Sequence, residues 1–218
     1  MTYRDSNNGS KDGAGQESGA PGGRGWHSRG YLPHYDSSEK IQHVTVHLAD
    51  SLPKSAILKV DERIQALPDV ERLVERRRRL HDYIDAGQGS CVLKEPELAE
   101  VVQNAFLHFH GERYRLQAWV VMPNHFHVLF QPLAPHSMAE IVASWKRFTA
   151  PEIKKWLRAR RESGDPGPIW HREYWDRYIR NAKHFDDVVA YIHDNPVKAG
   201  LCVDQKSWKW SSARGYAA

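Results

Sequence analysis

Polar and apolar positions alternate from Ile41 to Leu48. Ile41, His43, Thr45 and His47 fall on one side, and Gln42, Val44, Val46 and Leu48 on the other. This period-two pattern with β-branched residues predicts a strand. The pattern then turns helical. Ile57, Leu58, Ile64 and Leu67, and after Pro68 the residues Val70, Leu73, Val74, Leu80 and Ile84, recur every three or four positions. An amphipathic segment is predicted to open at Ser51-Leu52-Pro53-Lys54 with Ser51 or Ser55 as cap. It breaks at Pro68 and ends at Gly87 and Gly89. A further helix is predicted from Glu95-Pro96-Glu97, with Leu98, Val101, Val102, Ala105, Phe106 and Phe109 on one face and Gly111 as its stop. Two strands follow, Tyr114 to Met122 and a run opening His125-Phe126-His127. Pro123-Asn124 joins them, and Pro132 and Pro135 end the second.

Ser137-Met138-Ala139-Glu140 reads as a capping box before a long helix, with Met138, Ile141, Val142, Trp145 and Phe148 facing inward. Ile169 to Arg180, aromatic and basic in alternation, is read as an edge strand or an extended segment. Asn181 is placed to cap the last main helix, whose stripe is Phe185, Val188, Val189 and Ile192. Tyr191 lies beside that stripe, Asn195 one turn later, and Pro196 ends the helix or starts a new turn. Residues 1–25 are Gly, Ser, Asn, Asp and charged residues without periodicity, and are expected to form a disordered tail. Residues 26–218 are read as one domain with a helical insertion around 51–110. The segment from Trp26 to Tyr35 is expected to pack across the fold without regular structure. The alternative is that Trp26, His27 and Arg29 touch a ligand.

The 31 Lys+Arg against 27 Asp+Glu leave a small positive excess, compatible with a polyanionic partner but not proof of one. Eight Trp and nine Tyr add surfaces on which unpaired bases can stack, although most such residues belong in cores. Cys91 and Cys202 are too few for a disulfide framework or a Cys-rich zinc site, which favours a reducing, cytoplasmic setting. No apolar run is long enough to span a bilayer, and the N-terminus lacks a signal-peptide core.

The chemistry concentrates in His125-Phe126-His127. On a strand the two imidazoles share one face, about 7 Å apart along the backbone, and can lean onto one cation. By spacing alone they can equally be two partly buried histidines. The His-Glu-x-x-His pattern of zinc hydrolases is absent, which leaves a zinc hydrolase short of a third strong ligand. Tyr191 and Asn195 stand one helical turn apart and face the same way. They suit a nucleophile and a polar ligand, or a half-buried Tyr and a capping Asn.

Three stretches in order resemble the REP-associated tyrosine transposases, single-tyrosine HUH (His-hydrophobe-His) nucleases related to the IS200/IS605 transposases. They are Trp119–Leu129 around Pro123-Asn124-His125-Phe126-His127, Trp170–Asn181, and Tyr191-Ile192-His193-Asp194-Asn195-Pro196-Val197-Lys198-Ala199-Gly200-Leu201. The resemblance covers about Ile41 to Leu201. Gly25 to Pro33 also resembles longer members of the group.

The resemblance implies an α+β, ferredoxin-like (HUH) antiparallel sheet with helices packed on one face. It implies His125 and His127 as metal ligands, Tyr191 as the nucleophile and Asn195 as the third ligand, where compact relatives carry a glutamine. The implied cofactor is Mg²⁺ or Mn²⁺, and the implied substrate is single-stranded DNA with hairpins, cut through a 5′-phosphotyrosine. So weakly charged a ligand set is expected to need the substrate phosphate to help hold the metal. Arg172, Arg177, Arg180, Lys183, Lys146 and Arg147 are the candidate phosphate contacts. Trp170, Tyr174 and Trp175 are the candidate stacking partners. The chain is expected to act as a monomer or homodimer away from membranes. A catalytically inactive hairpin-binding protein on the same fold is the alternative.

Overall fold

The computed structural model describes residues 25–28, 33–37, 40–160 and 165–215. The expected tail lies outside the described residues except for Gly25, and so does Arg29. The segment expected to lack regular structure contains two strands, β1 (Gly25–Ser28) and β2 (Pro33–Asp36), paired antiparallel. They join the body where the Tyr35 amide donates to Asp176 Oδ2 at 3.2 Å and Gln42 Nε2 donates to the Tyr35 carbonyl at 2.9 Å.

The main sheet has four strands: β3 (Gln42–His47), β4 (Tyr114–Val121), β5 (His125–Pro132) and β6 (Trp175–Tyr178). All neighbours are antiparallel, in the order β4-β5-β3-β6. The His-bearing strand β5 therefore lies inside the sheet. The helices are α1 (Lys54–Ile64), α2 (Asp69–Asp85), α3 (Pro96–Leu107), α4 (Met138–Arg160) and α5 (Ala182–Lys198). The class is α+β, as expected.

Register decides what each face of the sheet presents. Phe126 pairs with Val46 and Val121, and Val128 with Val44 and Trp119, so these side chains share one face. That face is apolar. It packs on Leu98, Val102 and Phe106 of α3 and on Met138, Ile141, Val142 and Trp145 of α4. The Trp145 ring sits 5.0–5.3 Å from the rings of Phe106, Tyr114 and Phe130, edge to face, and its Nε1 donates to the Tyr114 hydroxyl at 2.9 Å. The capping box forms as read: the Ser137 amide donates to Glu140 Oε2 at 3.0 Å, and the Glu140 amide to Ser137 Oγ at 3.2 Å. Phe148, however, is 59% exposed. Beyond Trp145 the buried stripe steps by four, to Thr149 and Ile153, and Phe148 is left outside it.

The packing is not confined to that face. His125 pairs with His47, and His127 with Thr45 and Val120, which puts these residues on the opposite side. There α5 covers the β4 half through Val188 and Ile192 against Ala118, Val120, Met122 and Leu129. The α1–α2 pair covers the β6 half, with Leu80 and Ile84 packed beside Trp175. Helices on one face thus describes α3 and α4 only. The insertion and the last helix close over the second face because its apolar ends need cover.

Two expectations for α1 and α2 change. Neither Ser51 nor Ser55 caps α1, since Pro53 occupies the cap position and the Ser51 hydroxyl donates to the Leu48 carbonyl at 2.8 Å. Val70, Leu73 and Val74 are exposed rather than part of an inward stripe.

Candidate active site

Between α2 and α5 the second face opens as a cleft of about 800 Å³, with Tyr191, Asp85, His43 and Thr45 among its lining residues. His125 and His127 are fully buried beside it. Their Nε2 atoms stand 3.1 Å apart. Each ring is held from behind. The Asn124 amide nitrogen donates to the carbonyls of Ile84 and Gln88, both at 2.9 Å, which leaves Asn124 Oδ1 to accept from His125 Nδ1 at 2.7 Å. The His125 proton is therefore on Nδ1, and its Nε2 lone pair faces the cleft. His127 Nδ1 lies 2.9 Å from Thr45 Oγ1 and 3.3 Å from His43 Nε2. A threonine hydroxyl can donate or accept, so it serves either tautomer of His127.

The fourth polar group is Asp85, at the C-terminal end of α2. Its Oδ1 lies 3.4 Å from His125 Nε2 and 3.8 Å from His127 Nε2, and its Oδ2 accepts the Tyr191 hydroxyl at 2.8 Å. Asn195 is buried with its Nδ2 3.4 Å from His127 Nε2, and its Oδ1 has no hydrogen-bond partner. The structure therefore brings together all four residues read as the centre, His125, His127, Tyr191 and Asn195.

Electrostatics divides these groups. Burial, reinforced by the neighbouring His127, pushes His125 well below its ordinary value, so it is neutral at neutral pH. Burial works against ionising Asp85. The contact with His127 and the fields of both imidazoles outweigh it, and the carboxyl is held below its usual range as an anion. Burial, then the charge and hydrogen bond of Asp85, pushes the Tyr191 phenol up, so it rests protonated.

Ligand atoms of Asp85, His125 and His127 all lie within 4.8 Å of one another, the spacing of a set that can hold one cation. The donors suit a divalent metal: two imidazole nitrogens and one carboxylate oxygen without a hydrogen-bond partner, while Asn195 turns its Nδ2 toward His127. Reasoning from the sequence missed Asp85, which lies 40 residues before His125 and in no motif. Its one signal is placement. Asp82 and Asp85 occupy the last turn of a helix with no basic residue there, where the macrodipole disfavours anions.

The outer candidates fare differently. Arg177 and Arg180 line the cleft with exposed side chains. Arg77 of α2 joins them, and its Nη2 donates to the Asp176 carbonyl at 2.8 Å. Lys183 is paired with Asp187 at 2.8 Å. Lys146 donates to the carbonyls of His171 and Arg172 at 2.7 and 3.0 Å, tying α4 to that segment. Arg147 lines separate cavities beside α4, one of them shared with the exposed Arg172. The three aromatics are buried. Trp170 stacks edge-on against Phe126 and donates to Thr149, Trp175 lies against His47 and His81, and Tyr174 is 6% exposed. Most of each ring is packed inside the protein, and Trp175 also lines the cleft.

Residues 92–195, which hold His125, His127, Tyr191 and Asn195, match the model of the IS200-like transposase family. The relatives narrow the class. The chain is 28% identical over 114 residues to a REP-associated tyrosine transposase of Escherichia coli K12, a match covering 52% of this chain and 63% of that one. It is 33% identical over 97 residues to a putative REP-associated tyrosine transposase of Haemophilus influenzae, covering 42% and 54%. The chain thus matches less than two-thirds of the length of either relative. A solved REP-associated tyrosine transposase bound to a REP hairpin shares the fold, with a TM-score of 0.52 and 16% identity over 84% of this chain and 82% of that one. The resemblance read from the three sequence stretches is borne out. Asp85 lies before the matched residues, at the end of α2. No helix among the described residues is long and apolar enough to cross a membrane.

Proposed function

We propose that this chain cuts and rejoins single-stranded DNA bearing REP-like hairpins, with Tyr191 as nucleophile. One observation carries the reading: the Tyr191 hydroxyl is seated on the same carboxylate that flanks the two imidazole nitrogens. A bound Mg²⁺ or Mn²⁺ would polarise the scissile phosphate and offset charge building on its oxygens. His125 and His127 are the residues to hold it, with Asn195 and Asp85 in reach.

The chain's own groups do the rest. Tyr191 Oη attacks phosphorus and releases its proton toward Asp85 Oδ2, the oxygen it already bonds. The bond from phosphorus to the 3′ oxygen breaks, and that oxygen leaves with the electron pair and takes a proton. The products are a 5′-phosphotyrosine and a free 3′-hydroxyl. Because one phosphate ester replaces another, attack by a second 3′-hydroxyl reverses the step and joins strands without a nucleotide cofactor. Arg177 and Arg180, with Arg77 from the insertion, grip the strand through its phosphates along the cleft. Arg172, Arg147, Lys146 and Lys183 lie outside it.

The test is a hairpin oligonucleotide with a single-stranded flank, incubated with Mg²⁺ or Mn²⁺ and run on a denaturing gel. Wild type is expected to give a covalent protein–DNA band, and Tyr191→Phe none. Binding of hairpins without any band, across metals and sequences, would favour a protein that only grips DNA.

A further inference from the structure

We infer that Asp85 is the third ligand of the metal, in front of Asn195, and that its single carboxylate carries the cation on one oxygen and the nucleophile on the other. The inference rests on the metal-dependent reading above and goes beyond it. It assigns a ligand from the insertion, outside the family-matched residues 92–195.

The distances carry it. A divalent ion about 2.1 Å from each ligand sets neighbouring ligand atoms roughly 3.0–3.4 Å apart, for angles from 90° to tetrahedral. The edges here are 3.1 Å between the imidazole nitrogens and 3.4 and 3.8 Å from those nitrogens to Asp85 Oδ1. A shift of a few tenths of an ångström by one carboxylate closes the triangle. That Oδ1 is buried and makes no hydrogen bond, although the other oxygen of the same group is satisfied by Tyr191. A buried carboxylate oxygen left in that state, aimed between two imidazole nitrogens, is placed for a cation.

The backs of the rings agree. Asn124 locks His125 with its Nε2 lone pair forward, and Thr45 permits the same of His127. With the His127 proton on Nδ1 as well, two lone pairs 3.1 Å apart repel unless a positive charge lies between them. Position on the helix agrees too, since an anion in the last turn of α2 opposes the macrodipole and works against the stability of the helix.

Two consequences separate this arrangement from a site of two imidazoles and one amide. An anionic ligand lets the protein hold the metal without DNA, whereas a neutral set leans on the substrate phosphate. The carboxylate also couples metal loading to the position of the phenol. Asn195 turns its Nδ2 toward His127 and would have to rotate its amide to offer the oxygen, so it is not what carries the affinity.

The experiment is Mn²⁺ titration of the DNA-free protein, read by loss of the free-ion electron paramagnetic resonance signal and by the Mn²⁺-induced rise in melting temperature. Wild type is expected to bind one Mn²⁺. Asp85→Asn, which keeps the shape and drops the charge, is expected to bind about 10- to 100-fold more weakly. Asn195→Ala should lose less than Asp85→Asn. Asp85→Ala, with circular dichroism on each variant, separates lost affinity from lost fold. Unchanged Mn²⁺ affinity in folded Asp85→Asn, a larger loss in Asn195→Ala, or no Mn²⁺ binding by DNA-free wild type would each overturn the inference. The nuclease reading fails separately: it falls if Mn²⁺ binds as described and no covalent DNA band ever forms.

Discussion

The two faces of the sheet are built from the same strands and do opposite things. One buries Val44, Val46, Phe126, Val128 and Phe130 under α3 and α4, where Trp145 Nε1 donates to the Tyr114 hydroxyl. The other buries His125, His127, Thr45 and Asn195 and leaves oxygens of Asp85 and Asn195 without hydrogen bonds. The strand period of two makes this possible, because a single sequence, His-Phe-His-Val, serves stability with every second residue and chemistry with the others. What the first face gains in stability offsets the cost of burying polar groups on the second.

The sharpest way to break the apolar face is Trp145→Ala. It removes the hub of the Phe106, Tyr114 and Phe130 cluster and deprives the Tyr114 hydroxyl of the indole N–H it accepts from. Chemical denaturation should show a loss of about 3–5 kcal/mol. On the other face, His127→Ala should leave stability close to wild type while slowing formation of the covalent product roughly 10²- to 10³-fold, a single-turnover measurement. If the two variants exchanged phenotypes, the division of labour between faces would be wrong.

A smaller effect comes from pH. Burial, then the neighbouring His171, lowers His47 from 6.5 to about 3. The folded value lies below the unfolded one, so the unfolded chain takes the proton first as pH falls. The stability is therefore present above pH 6.5 and lost between about 6.5 and 3, on the order of 1 kcal/mol per pH unit. Melting temperatures at pH 7.5 and 5 should fall further for wild type than for His47→Gln. Smallest is the grip of the cleft. Arg177→Ala and Arg180→Ala should each weaken single-strand binding a few-fold and lower the salt slope by about 0.7, measured by fluorescence anisotropy across salt concentrations.

The same two-faced logic explains what could be read in advance. From Gln42 onward strands and helices followed from period, Pro and Gly, down to the capping box at Ser137 and Glu140 and the Asn181 cap, whereas the β1–β2 pair, in a segment without clear alternation, did not. His125, His127, Tyr191 and Asn195 were legible because they fall at fixed spacings within continuous motifs. Asp85 was not, because only the folding of α2 over the sheet carries it to the histidines. Burial of Trp170, Tyr174 and Trp175 was not legible, because an alternating aromatic segment looks alike whether its rings turn outward or pack into the core, and Trp175 does both in part by lining the cleft. Val70, Leu73 and Val74 had helical spacing without a surface to cover them.

The most direct test of the central claim is to follow the two ends of a cut strand. Tyr191 attack with the 3′ oxygen leaving predicts that a label at the oligonucleotide's 3′ end travels with the protein on a denaturing gel. A 5′ label should run free on a fragment ending in a 3′-hydroxyl that a polymerase extends. A protein-bound 5′ label, or a protein-bound 3′ label that survives Tyr191→Phe, would contradict the account.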